Sequence, residues 1–150
     1  MENYIINNKT VALLKKFNKT IIYDVDKVIV INKNIKKIID NSCFYYGSSL
    51  KGRINCGKSI LNIKYKVPIM IDESSNLVLI QLNSPRKEIC LYLITNKIIN
   101  YNKIYDKLNI NCVNNINFIY NLSQNNFEKL LINSFRLNNV LNYRKSLKFL

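Results

Sequence analysis

Between Tyr4 and Asn32 the apolar residues come in short runs rich in branched side chains. The runs are "YII", "KTVALL", "KTIIYD" and "KVIVIN", separated by polar groups at Asn7-Asn8, Asn18-Lys19 and Asp24 to Asp26. Branched residues pack well on a pleated surface, and polar groups every few residues mark turns. This stretch therefore predicts an antiparallel meander, with "DVD" at Asp24 to Asp26 as a solvated turn.

The period then changes. In "NKNIKKIIDNSCFYYG", Ile35, Ile38, Ile39 and Cys43 form one apolar stripe of a helix, while Lys33, Lys36, Lys37 and Asp40 fall off it. Gly47 lies just beyond the end, where a left-handed residue commonly closes a helix. Tyr45 to Ser59 reads as a loop. "LNIKYKV" then alternates, with Leu61, Ile63, Tyr65 and Val67 on one side and Asn62, Lys64 and Lys66 on the other. That predicts a half-buried strand with a basic outer face.

Pro68 suggests an edge strand or a bend, and "DESSN" a turn into the strand "LVLIQL". "EICLYLIT", "KIINY", "KLNINCV" and "INFIYN" supply further strands. From Ser123, an N-cap residue, the pattern is helical again, with Phe127, Leu130, Leu131, Phe135 and Leu141 as its core stripe. Arg144, Lys145 and Lys148 fall near the end of that helix, where the dipole favours cations. The expected fold is α+β: mostly antiparallel sheet with a short middle helix and a long C-terminal helix. A chain of 150 residues, 48% hydrophobic, with no linker or internal repeat, is expected to form one domain over 1–150.

Charge narrows the function. There are 23 Lys and Arg against 9 Asp and Glu, a formal net charge of +14. A field of that sign selects polyanions: nucleic acid first, because bound phosphates release counterions, and an anionic membrane surface second. The N-terminal "MENYIINNKTVALLKK" lacks the pattern of a secretory signal, and apolar runs such as "ICLYLI" are too short to span a bilayer. A cytoplasmic protein is expected.

Catalytic chemistry finds little support. The chain has no histidine, which removes the commonest general base at neutral pH. Cys43, Cys56, Cys90 and Cys112 form no close pair of the kind zinc sites use, and read as reduced thiols. No metal or cofactor is expected. "GRINCGKS", Gly52 to Ser59, does satisfy the P-loop pattern. That pattern works only where a buried strand delivers the loop onto a helix N-terminus. The flanking residues read as neither, so the match is attributed to chance.

The segment still stands out, because all three glycines of the chain, Gly47, Gly52 and Gly57, lie in or beside it. Glycine serves where φ is positive or where backbone approaches a ligand closely. Ser48, Ser49, Lys51, Arg53 and Lys58 surround these positions and can all donate to phosphate oxygens. Lys64 and Lys66 would extend the basic surface. These seven residues are the expected DNA contacts. Tyr45 and Tyr46 either flank the groove or pack at a helix end.

"DNSCFYYGSSLKGR" (Asp40 to Arg53), followed by "KVPIMIDESSNLVLI" (Lys66 to Ile80), resembles the ComK family of competence transcription factors. The matching positions are Ser42, Cys43, Tyr45, Tyr46, Gly47, Ser48, Ser49, Gly52 and Arg53, then Pro68, Ile69, Met70 and Asp72. "FIYNLSQNNFEKL" is a weaker match farther along. One departure is Phe44, where relatives can carry a basic residue. The resemblance implies a non-enzymatic transcriptional activator of DNA-uptake genes that binds double-stranded A/T-rich promoter boxes through the minor groove. It also implies a homo-oligomer, dimer or tetramer, with the transcription machinery as a further partner. The alternatives are a ComK-like interaction module that forms mixed oligomers without activating alone, and an enzyme built on the P-loop-like segment.

Overall fold

The computed structural model describes residues 3–84 and 86–147. Six strands, β1 (Thr10–Lys16), β2 (Lys19–Asp24), β3 (Val28–Ile31), β4 (Ile69–Asp72), β5 (Leu77–Gln81) and β6 (Ile89–Ile94), form one antiparallel sheet in the order β3-β2-β1-β6-β5-β4. The expected meander is its first half. β7 (Ile98–Ile104), β8 (Lys107–Cys112) and β9 (Asn117–Tyr120) form a second, three-stranded antiparallel sheet. The helices are α1 (Ile35–Tyr45), α2 (Leu50–Leu61) and α3 (Gln124–Ser146). The α+β class holds, with one more helix than the hydrophobic pattern predicts.

Alternation along the central strands divides the packing into layers. Leu13, Ile22, Leu79 and Tyr92 face the α1 stripe of Ile35, Ile38, Ile39 and Cys43. Ala12, Leu91 and Leu93 point the other way, onto Leu108 and Ile110 of the second sheet and Phe127, Leu130 and Leu131 of α3. The Tyr101 hydroxyl donates to Glu128 at 2.7 Å, tying that sheet to α3. α2 wraps the β4 edge: Leu50 and Ile54 join the first core, while Cys56, Ile60 and Leu61 meet Met70, Val78, Leu137 and Leu141. Pro68 thus precedes a genuine edge strand, which a helix covers.

Three local expectations fail for identifiable reasons. "YII" is not a strand. Ile6 N donates to Ser42 Oγ at 3.0 Å, so α1 takes the bond a ladder would have made. Asp24 is not in a solvated turn but 5% exposed, beneath the Tyr4 hydroxyl. Phe135 is 53% exposed, because the small Ser134 and Leu137 turn inward where α3 passes from the sheet to α2. Ser123 caps α3 as expected, its Oγ accepting Asn126 N at 3.1 Å. Lys148 lies outside the described residues.

The Tyr4 hydroxyl donates to Asp24 and also contacts Thr10 Oγ1. Burial, then the bond to Asp24, push its pKa above the ordinary tyrosine range. Tyr4→Phe would leave a buried carboxylate short of a donor. A loss of about 2 kcal/mol is expected, within the usual range for hydrogen bonds to charged groups, read as a lower urea midpoint at constant slope.

Cys43, Cys90 and Cys112 are buried, Cys56 partly so, and all four are free thiols. Burial pushes the Cys43 and Cys112 thiols up to about 11, so both stay protonated at neutral pH. Among the described residues no helix is long and apolar enough to cross a membrane.

Candidate nucleic-acid interface

The segment expected to be a loop from Tyr45 to Ser59 is a turn followed by a helix. Asn34 caps α1, its Oδ1 accepting Lys36 N at 2.8 Å. At the far end Gly47 takes φ +93, and Ser48 N returns to Cys43 O at 2.9 Å. Three residues after Gly47, at Leu50, α2 begins. Ser49 is its N-cap, accepting Gly52 N at 2.9 Å, while Asp40 on α1 accepts Leu50 N at 2.9 Å.

This arrangement disposes of the P-loop on grounds different from those the sequence suggests. A helix does accommodate "GRINCGKS", but it contains the whole motif. Its N–H groups are engaged in helical bonds and cannot wrap a phosphate chain. The first turn is already answered by a carboxylate and a serine of the protein itself.

Two glycines hid the helix, since each lowers helix propensity. Gly52 is exposed on the first turn, and Gly57 is a packing requirement. A Cβ at Gly57 would lie 2.5 Å from Val67 Cγ1 and 3.1 Å from the Pro68 carbonyl oxygen. The strand expected over "LNIKYKV" is likewise absent. Leu61 closes α2 and Asn62 is its left-handed C-cap, φ 55. Tyr65, assigned to the apolar face, is 85% exposed. The alternation there is the end of a helix followed by a loop.

The sequence-predicted contacts therefore divide. Lys51 and Lys58 stand exposed on α2 and line a groove against Lys36, Lys37 and Asp40 of α1, over a floor of Leu50 and Ile54. Ser48 and Ser49 sit at the turn. Ser49 Oγ accepts the cap bond and keeps its own hydrogen to donate. Arg53 does not join the groove. Its guanidinium, with the side chain 13% exposed, lies 4.0 Å from Glu73, and its Nε is buried with no partner among the described residues. Lys64 is exposed in the loop after α2, and Lys66 Nζ donates to Leu82 O at 3.1 Å.

Lys36 and Lys37 are the residues that sequence reasoning left without a role. Their position off the Ile35–Ile38–Ile39 stripe is the signal that could have found them, once α2 is known to run alongside. Tyr45 and Tyr46 also separate. Tyr46 donates to Ile6 O at 2.8 Å and packs on the core, whereas Tyr45 and Phe44 are 68% and 78% exposed.

The "Competence transcription factor" of Bacillus subtilis (strain 168) is 32% identical over 94 residues, which cover 60% of this chain and 49% of that protein. The match thus spans about half the relative's length. No solved structure matches. The model of the family described as "ComK protein" matches residues 1–146, nearly the whole sequence, and the chain belongs to the ComK family.

Proposed function

We propose that the chain is a DNA-binding transcriptional activator of competence genes, reading A/T-rich promoter boxes through the minor groove and acting in the cytoplasm as a homo-oligomer. The observation that carries this reading is the convergence of Lys36, Lys37, Lys51 and Lys58 on one groove, with Asp40 as its single carboxylate among the described residues. Asp40 caps α2, and the four lysines are exposed and outnumber it. Long cationic side chains on paired helices can follow a phosphate backbone, and each contact made releases counterions. Ser48, Ser49 and Lys64 extend the same phosphate-binding surface. Arg53, held by Glu73, positions α2 against the β4–β5 turn. Narrow A/T-rich minor grooves concentrate negative potential and suit a protein of charge +14.

The test is fluorescence anisotropy with two duplexes of equal length, one A/T-rich and one G/C-scrambled, titrated across a salt series. The A/T duplex is expected to bind roughly a thousandfold tighter, with a steep salt slope on both. Equal and weak affinities would sink selective recognition and leave the protein-interaction role, for which the open β3 edge offers exposed Val28 and Val30.

A further inference from the structure

Two tight hairpins carry bulky aromatic residues where the backbone disfavours them. β1 and β2 are joined by Phe17–Asn18 between the paired Lys16 and Lys19, and β7 and β8 by Tyr105–Asp106 between Ile104 and Lys107. Two-residue hairpins of either favoured type require positive φ at the first turn position, usually glycine or asparagine. Here that position is Phe17 (φ 57) and Tyr105 (φ 56). Elsewhere the chain meets the same demand mostly with asparagine, at Asn62, Asn76, Asn114 and Asn115, and once with Lys66 (φ 48), which is not aromatic. Neither ring repays its strain by packing: Phe17 is 55% exposed and Tyr105 93%. Strained, exposed residues of this kind belong to functional sites more often than to frameworks.

Both tips emerge at the same end of the molecule. Lys16 pairs with Ile89 across β1 and β6, and Phe17 N donates to Glu88 O at 2.8 Å. Tyr120 pairs with Leu108, next to the second turn, and its hydroxyl lies 2.6 Å from Asn83 Oδ1 and 3.5 Å from Ile89 O. Lys19, Lys33 and Arg86 surround the Phe17 tip, together with Glu88. Exposed Lys103 and Lys107 flank Tyr105, together with Asp106. Asn34 lines both the depression beside Phe17 and the α1–α2 groove, so the tip end adjoins the lysine face.

We infer that Phe17 and Tyr105 are a pair of DNA-inserting tips, wedging their rings into the minor groove at base steps of an A/T-rich duplex while the cations beside them hold the phosphates. The inference rests on the DNA reading above. Apolar wedges from minor-groove proteins partly unstack base steps, and the pyrimidine–purine steps of A/T-rich DNA yield most readily. An aromatic ring held rigidly away from the protein, with cations at its base, fits that task.

Phe17→Gly, Tyr105→Gly and the double variant test it, because glycine suits both turns and keeps Tm level with or above that of the wild type. Binding is followed by anisotropy, and unstacking by 2-aminopurine fluorescence at a central TA step. Each single variant is expected to lose about tenfold in A/T affinity, by analogy with the worth of one stacked base, and the double variant to lose the fluorescence rise. The salt slope stays unchanged because no phosphate contact is removed. Phe17→Leu, which keeps an apolar wedge, should retain most of the affinity. A double variant with wild-type affinity and fluorescence overturns the inference alone. Lost affinity with the fluorescence rise intact and a changed sedimentation coefficient also overturns it, making the tips a contact between copies. Failure of the wild type to bind either duplex overturns the DNA reading and this inference with it.

Discussion

Replacing Lys36, Lys37, Lys51 and Lys58 together by alanine is expected to weaken duplex binding about a thousandfold at 0.15 M salt. The arithmetic is that of counterion release. Each phosphate contact adds about 0.9 to the slope of log affinity against log salt, so losing four contacts flattens it by about 3.6. At 0.15 M that slope is worth about three orders of magnitude. A/T and G/C duplexes should lose affinity alike, since phosphate contacts carry no sequence information. The four side chains are exposed on helices and alanine is the better helix former, so the fold is expected to survive. An unchanged salt slope in a folded variant would move the phosphate-binding face away from α1 and α2.

Gly57→Ala is expected to destabilise the protein by up to about 2 kcal/mol, against the ordinary rule for helices. In a free helix alanine gains about 1 kcal/mol over glycine. Here the added methyl would sit 2.5 Å from Val67 Cγ1 and 3.1 Å from a backbone carbonyl. Val67 is branched and buried, and the carbonyl cannot rotate away, so overpacking of about 1–3 kcal/mol outweighs the helical gain. Urea unfolding at constant slope reads the difference. A raised midpoint would mean that α2 can lift from the segment before β4 without loss, and that its seat there is not what orders the lysine face.

The same glycine explains where the sequence misleads. A strand announces itself through its own side chains, so β1, β2, β5 and β6 are legible, as is α1 from its isoleucine stripe. α2 is a helix because of what lies beneath it. Its two glycines argue against a helix locally, and only the contact with Val67 and Pro68 shows why one is needed. The groove inherits this blindness. Lys51 and Lys58 could be named from composition, but their neighbours Lys36 and Lys37 belong to it only through the packing of α1 against α2. Arg53 shows the reverse placement: a cation within the same motif whose guanidinium lies 4.0 Å from Glu73 and outside the groove. Phe17 and Tyr105 were invisible because no apolar pattern marks a residue whose significance is its backbone conformation.

The carboxylates described above have a consequence for how copies of the protein meet. Asp24 lies under Tyr4, Asp40 caps α2, Glu73 faces Arg53 and Glu128 receives the Tyr101 hydroxyl. Four acids thus answer groups of the protein's own framework, and with 23 Lys and Arg against 9 Asp and Glu the outer surface carries a large excess of positive charge. Two free copies therefore repel once they approach within the Debye length, about 8 Å at physiological ionic strength. Side by side on a polyanion, the same copies are screened by the phosphates between them. On the DNA-binding reading proposed above, self-association is therefore expected to be stronger on the duplex, whose phosphates supply the opposite charge, than in free solution.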